Sequence, residues 1–280
     1  MTETNLRLPD GRTLHVYDTE ATSRREHFCV FWHHGTPNIG APPAPLLAAA
    51  ADLGLRWLSY DRPGYGGSTA KPGRDVASAA SDVAAIADAL EIEQFAVMGH
   101  SGGAPHALAC AALLPERVRA AVSIAGLAPF DAQELDWFAG MSEASAASLR
   151  AASAGRAEKE RYEAEAVFDP AVFTAADHAA LAGTWSWLLD VVNPAVAAGP
   201  GALIDDDLAY VAPWGFDPAQ VNAPVLLLHG EDDRMIPSSH ARWLARRCPR
   251  AELRLCVGEG HISVLNFGVT ALQWLRAHLG

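Results

Sequence analysis

Gly99-His100-Ser101-Gly102-Gly103 is the stretch of this chain best suited to do chemistry. A short apolar run, Phe95 to Met98, leads into it, and Ala104 to Leu114, rich in strong helix formers, leads away. A buried strand, a glycine-dense turn and a helix are the context that a G-x-S-x-G nucleophile elbow requires. The sharp turn forces its central residue into a strained backbone, and neighbours bearing a Cβ would clash with the strand or helix. Ser101 is thereby presented above the carboxyl end of the strand, with the positive end of the following helix behind it. The chemistry such a serine performs is nucleophilic attack. A glycine-rich turn with a serine that only caps the helix is the bland reading of the same residues.

A serine is a weak nucleophile near neutral pH and needs a base in hydrogen-bond reach, itself oriented by a carboxylate. His261, after Gly258-Glu259-Gly260, is the candidate base, and Asp233, at the far side of the turn His229-Gly230-Glu231-Asp232-Asp233, is the candidate acid. Glu231, Asp232 and Asp131 stand near enough in the pattern to be the acid instead. The order Ser, Asp, His is the one that accompanies the elbow. The loop His33-His34-Gly35-Thr36-Pro37 leaves another core strand, and its Thr36 amide is free to turn towards Ser101 as an oxyanion donor. His34 and His100 lie close enough in sequence to these loops to touch a substrate.

The elements that must position these residues alternate. A hairpin is expected over Leu6–Asp18, around Pro9-Asp10-Gly11, followed by a charged stretch from Glu20 to Glu26. Strands are expected at Phe28–Trp32, Leu55–Tyr60, Phe95–Met98, Val118–Ile124, Val225–Leu228 and Glu252–Val257. Helices separate them at Ala44–Leu53, Asp75–Leu90, Ala104–Leu114, Ser239–Arg247 and Asn266–Leu279. Strand and helix at this spacing give βαβ units and a mostly parallel sheet, so loops at the strands' carboxyl ends can bring the three residues together. The glycine- and proline-rich loop Asp61 to Ser68 reads as structural, shaping the sheet edge beside the site.

The alternation breaks from Pro129 to Asp217, where segments are helical and alanine-rich and carry many aromatic residues. Most of these must be the small core of a helical subdomain. An insertion at the carboxyl edge of a parallel sheet nevertheless covers the place where such folds bind ligands. Residues 129–217 are therefore expected to be a lid on a core made of 1–128 and 218–280, with Trp137 and Trp185 as candidates for substrate contact.

The chain has 280 residues, half of them hydrophobic, and a net charge of −12. That sign excludes a nucleic-acid or anionic-membrane partner as the ordinary expectation, and the charges read as a scattered, solvated surface. The cysteines Cys29, Cys110, Cys248 and Cys256 form no C-x-x-C pair and read as free thiols. No basic and apolar leader follows Met1, so a cytoplasmic protein is expected. Monomer and homodimer both stay open.

Taken together, His34-Gly35-Thr36-Pro37, Asp61-Arg62-Pro63-Gly64-Tyr65-Gly66, Gly99-His100-Ser101-Gly102-Gly103, His229-Gly230-Glu231-Asp232-Asp233 and Gly260-His261 resemble the α/β-hydrolase fold superfamily. The resemblance spans nearly the whole chain. It implies an eight-stranded-type, mostly parallel sheet flanked by helices, with an inserted helical cap. It further implies Ser101 as nucleophile, Asp233 as acid, His261 as base, the Thr36 and Gly102 amides as oxyanion hole, and no metal or organic cofactor. Haloalkane dehalogenases and epoxide hydrolases of this fold use an aspartate where this chain has Ser101. Proline iminopeptidases show His-Gly-Gly-Pro-Gly where it has His-Gly-Thr-Pro. The activity expected is hydrolysis of a small, largely apolar carboxylic ester. Cleavage of a C–C bond, lactone or amide, perhydrolysis, and a receptor that binds a ligand with slow or no turnover are the other uses of the same residues.

Overall fold

The computed structural model describes residues 1–19 and 27–279; the charged stretch Glu20 to Glu26 lies outside them. The strands are β1 (Thr2–Arg7), β2 (Thr13–Asp18), β3 (Phe28–His33), β4 (Leu55–Tyr60), β5 (Phe95–His100), β6 (Val118–Ile124), β7 (Val225–Gly230) and β8 (Ala251–Cys256). They form one sheet in the order β1-β2-β4-β3-β5-β6-β7-β8. β1 pairs with β2 and β2 with β4 antiparallel, and every other pairing is parallel.

The continuous apolar runs are strands covered on both faces, and successive side chains divide between the two. Cys29 and Phe31 of β3, Phe95 and Val97 of β5, and Val225 and Leu227 of β7 enter one core. Val30 and Trp32, Ala96 and Met98, and Leu226 and Leu228 enter the other. Helices α1 (Leu47–Asp52), α2 (Ser78–Ala89) and α3 (Gly103–Leu113) join the early strands. Between β6 and β7 the described residues hold only helices, among them α4 (Glu143–Ser153), α5 (Arg156–Glu165), α6 (Ala175–Ala182), α7 (Leu188–Ala197) and α8 (Gly201–Val211). Helices α9 (Ser239–Arg247) and α10 (Gly268–His278) complete the chain. Among the described residues no single helix is long and apolar enough to cross a membrane.

The β5–α3 turn shows why its sequence is so narrow. Ser101 has φ 54°, a left-handed backbone that a residue with a Cβ adopts only under constraint. A Cβ on Gly99 would collide with the Gly103 carbonyl, and one on Gly103 with the carbonyl of His33 on β3. Elbow, helix and neighbouring strand thus touch backbone to backbone, and only glycine permits it.

Candidate active site

Ser101 leaves β5, Asp233 follows β7 and His261 follows β8, so all three stand at carboxyl ends of parallel strands. Ser101 Oγ lies 2.9 Å from His261 Nε2, and His261 Nδ1 lies 2.8 Å from Asp233 Oδ2. The other carboxylate oxygen, Asp233 Oδ1, accepts the Met235 and Ile236 amides at 2.9 Å each, which fixes its direction. His229 Nε2 also approaches Asp233 Oδ2, at 3.4 Å, while bonding the Ile236 carbonyl. Glu231, Asp232 and Asp131 are all exposed, and among the described residues none bonds His261. The structure therefore brings Asp233 to the histidine and leaves the other three acids in solvent.

Burial opposes the charge of Asp233, but the facing His261 and the bonds from both histidines outweigh it and hold its carboxyl well below the ordinary value. For His261 burial likewise disfavours the charged ring; the Asp233 carboxylate and the more distant Asp177 overcome this and raise its pKa above 6.5.

The residues expected to bind an oxyanion are adjacent. Among the described residues neither the Thr36 nor the Gly102 amide finds a protein acceptor. The Gly102 carbonyl accepts from Tyr210 Oη at 3.0 Å and from His106 Nδ1 at 2.8 Å, so the residue is held by the end that does not face the nucleophile. Thr36 Oγ1 donates to Asp206 Oδ2 at 2.6 Å and lies 2.8 Å from Tyr210 Oη.

Asp206 itself is fully buried. It takes Arg62 Nη2 at 2.7 Å, Arg74 Nη1 at 2.6 Å and Tyr65 Oη at 2.9 Å, while Arg62 also donates to the His34 and Gly35 carbonyls. The Arg62 and Arg74 guanidiniums outweigh the burial and keep its carboxyl well below the ordinary value. The loop Asp61 to Ser68 acts structurally at a second point, Asp61 accepting from Tyr17 Oη and from the amides of Gly40 and Gly67.

A second carboxylate from the helical insertion meets the histidine loop. Asp177, on α6, accepts the amides of His261 at 3.2 Å, Ile262 at 2.7 Å and Ser263 at 2.8 Å. It also closes its own capping box with Thr174. The inserted helices thus grip both halves of the site: α8 holds the oxyanion side through Asp206 and Tyr210, and α6 holds the base side through Asp177.

Neither grip was legible in the sequence. The reading of the charges as a scattered, solvated surface fails at Asp205-Asp206-Asp207, all buried, with Asp205 bonded to Arg156, Asp206 to Arg62 and Arg74, and Asp207 to Lys159. Three acids in a row within an otherwise apolar helix were the available signal.

The residues expected to touch substrate are otherwise engaged. His34 Nε2 accepts the Arg62 amide and its Nδ1 lies 2.8 Å from the Gly35 carbonyl, so both ring nitrogens are used inside the protein. Trp137 donates to the Ala128 carbonyl and packs edgewise on Phe130, Phe138 and His240. Trp185 donates to Asn266 Oδ1 and is buried in the core that Val30, Trp32 and Leu226 also enter. Both indoles pin the insertion to the sheet domain, because a large buried ring finds more contact there than over an open site. His100 keeps one nitrogen free, its Nε2 lying 2.9 Å from the His261 carbonyl.

A cleft of about 650 Å³ opens beside Asp232, Asp233 and Arg234, bordered by Thr174 and Gly258. It abuts the outer side of the acid, and Ser101 is not on its wall. Among the described residues no group of three or more His, Cys, Asp or Glu is arranged to hold a metal ion.

This sheet and this site define an α/β hydrolase, and the chain belongs to the alpha/beta hydrolase fold family, whose model matches residues 30–267. Among curated relatives, a Synechocystis sp. protein carrying the name of a non-heme chloroperoxidase is 24% identical over 254 residues, 87% of this chain and 85% of that one. A pimeloyl-[acyl-carrier protein] methyl ester esterase of Nitrosomonas europaea is 44% identical over 48 residues, 17% of this chain and 19% of that one. Among solved structures, an enol-lactonase from Burkholderia xenovorans superimposes with TM-score 0.75 at 20% identity, covering 99% of both chains.

The raised pKa of His261 has a direct consequence. The base acts only when neutral, so kcat/KM for any reaction begun by Ser101 is expected to rise with pH through a midpoint above 6.5. Asp177→Asn removes a charge that favours the imidazolium while keeping the shape of the cap. Its midpoint is expected to fall below that of the wild type, read from pH–rate profiles of both proteins. An unmoved midpoint would mean that Asp177 acts on the loop backbone alone.

Proposed function

We propose that this protein is a serine hydrolase that cleaves a small, largely apolar carboxylic ester through an acyl-enzyme. The observation that carries the reading is the continuous hydrogen-bonded line from Ser101 Oγ through His261 to Asp233. Ser101 Oγ attacks the acyl carbon and its proton passes to His261 Nε2, whose imidazolium Asp233 stabilises. The carbonyl oxygen becomes an oxyanion between the Thr36 and Gly102 amides, each donor lowering the barrier by about 3 kcal/mol. His261 returns the proton to the departing alcohol. Water then attacks the acyl-serine by the same route, releasing the acid and free Ser101.

Residues 129–217 act as the cap over a core of 1–128 and 218–280. The names of the relatives support ester chemistry, one being a methyl ester esterase and one fold neighbour a lactonase, since a lactone is an internal ester. The test is hydrolysis of a chain-length series of 4-nitrophenyl esters and of a simple lactone, alongside labelling of Ser101 by a fluorophosphonate. Turnover that favours short acyl chains supports the reading. Labelling without turnover of any ester or lactone overturns the ester reading and leaves C–C or amide cleavage, perhydrolysis and the receptor class on the same residues, and absence of labelling overturns the nucleophile.

A further inference from the structure

The Thr36 and Gly102 amides stand on different loops, one leaving β3 and the other β5, and one side-chain atom of the inserted helices touches both residues. Tyr210 Oη, on α8, donates to the Gly102 carbonyl at 3.0 Å and lies 2.8 Å from Thr36 Oγ1. Among the described residues every other side chain that bonds this pair reaches one member only. Asp206 and Arg62 hold Thr36 Oγ1, and His106 Nδ1 holds the Gly102 carbonyl. Tyr210 is 2% exposed, and its ring is seated in an apolar cluster with Leu127, Trp137 and Trp214. Its hydroxyl is therefore delivered to a fixed point.

Gly102 shows how tightly that point is specified. Its φ of −55° and ψ of −18° are right-handed helical values open to any residue, so the backbone does not call for glycine. The neighbours do: a Cβ at this position would collide with Tyr210 Oη and with Thr36 Oγ1. The two hydroxyls thus pack directly against the Gly102 Cα. A glycine also turns freely about its two backbone bonds, and its amide would turn with them. Anchors on both sides oppose that. The Ala104 amide donates at 3.0 Å to the Ser101 carbonyl, which shares a peptide group with the Gly102 N–H, and Tyr210 and His106 hold the next carbonyl. Of these anchors only Tyr210 also meets Thr36.

We propose that Tyr210 is a positioning residue of the oxyanion hole: its hydroxyl, brought in by α8, fixes the separation of Thr36 and Gly102 so that both amides reach one oxyanion. The proposal rests on the serine-hydrolase reading above. Oxyanion donors act at about 2.7–3.1 Å from the oxygen of the transition state, and a misplacement of about 1 Å costs up to about a hundredfold in rate. The loss on removing the hydroxyl therefore falls on the step that forms the oxyanion. Binding of the uncharged substrate is spared, and so is the proton path through His261, which Tyr210 does not bond among the described residues.

Tyr210→Phe removes the hydroxyl and keeps the ring. Wild type and variant are compared, per fluorophosphonate-labelled site, on the best of the 4-nitrophenyl esters, on a trifluoromethyl ketone of matching chain and on the alcohol made by reducing that ketone. Ser101 Oγ adds to the ketone carbon, its proton passes to His261 and the carbonyl oxygen becomes an oxyanion, whereas the alcohol binds without this step. The variant is expected to lose about tenfold or more in kcat/KM, mainly in kcat, and to bind the ketone more weakly by a similar factor. Affinity for the alcohol and the midpoint of the pH–rate profile are expected to stay, which a general loosening of the site would not allow. Unchanged ketone affinity, an equal loss for ketone and alcohol, or a moved midpoint would overturn the proposal. Should the variant fail to fold, Gly102→Ala displaces the same hydroxyl from the other side and is expected to give the same pattern. If the wild type turns over no ester, the rate of fluorophosphonate labelling replaces kcat/KM, since the phosphoryl oxygen enters the same hole. Unlabelled Ser101 in the wild type defeats the serine-hydrolase reading and this proposal with it. Labelling at equal rates in both proteins leaves that reading standing and removes the role of Tyr210.

Discussion

Ser101→Ala is expected to lower kcat for ester hydrolysis by about a millionfold, leaving a background about a thousandfold above water. The residual is expected because the Thr36 and Gly102 amides, proposed to bind an oxyanion, remain while water replaces the serine as attacking group. The backbone at this position has φ 54° with serine, and alanine carries the same Cβ, so the substitution adds no new steric demand at the turn. The elbow should stay folded, with an unchanged thermal transition, and lose only its chemistry. His261 and Asp233 act in the same proton path, so removing either together with Ser101 should add little to the loss. Initial rates combined with fluorophosphonate titration check this. Activity above about one per cent of wild type, by contrast with the losses measured for such triads, would place the nucleophile elsewhere.

Asp206→Ala is the substitution expected to cost most stability. Its side chain is wholly buried between Arg62 and Arg74, whose side chains are each only 2% exposed. Removing the carboxylate leaves two guanidiniums in the interior with no compensating charge, a change that costs about 3–5 kcal/mol in comparable buried pairs. That is a large part of the about 5–15 kcal/mol by which a domain is stable, and for a chain of this size it should lower Tm by about 10 °C.

The neighbouring acid supplies the control. Asp205 bonds Arg156, whose side chain is 42% exposed, so water can replace the lost partner. Asp205→Ala should therefore cost no more than about 1 kcal/mol. Calorimetry on the two variants measures the difference directly, and a Tm for Asp206→Ala within a degree of wild type would mean that the cluster gives the fold no net support. Asp206→Ala should also slow the enzyme beyond its loss of fold. Thr36 Oγ1 loses its acceptor, and the loop bearing one oxyanion donor is then held less firmly.

The inserted helices, proposed as a cap, accordingly do more than cover. A lid that only sheltered substrate would need contact with the substrate or with the rim of the site. Here α6 reaches the backbone of His261 and α8 reaches Thr36 and Gly102, so motion of either helix would disturb the residues proposed to perform the reaction.

By itself the sequence determined the sheet and the elbow, and it singled out Ser101, His261 and Asp233, which the structure joins by hydrogen bonds. Those features rest on local rules. A short continuous apolar run marks a strand buried on both faces, a helix follows within a few residues, and Gly99 and Gly103 are required by backbone contacts inside one turn and with the next strand. Strand order then carries Ser101, Asp233 and His261 to the same edge. The acid was the least certain of the three, because Glu231, Asp232 and Asp233 share one turn. Only the folded loop shows which carboxylate is buried and bonded to the ring.

The tertiary structure alone decided what supports these residues. Asp177 meets the amide of His261 from 84 positions away, and Asp206 meets Arg62 across 144. Both acids lie on helices whose local sequence is compatible with a solvated face or a buried one. Whether a carboxylate is solvated or enclosed depends on where the insertion folds back over the sheet, and no local pattern encodes that distance.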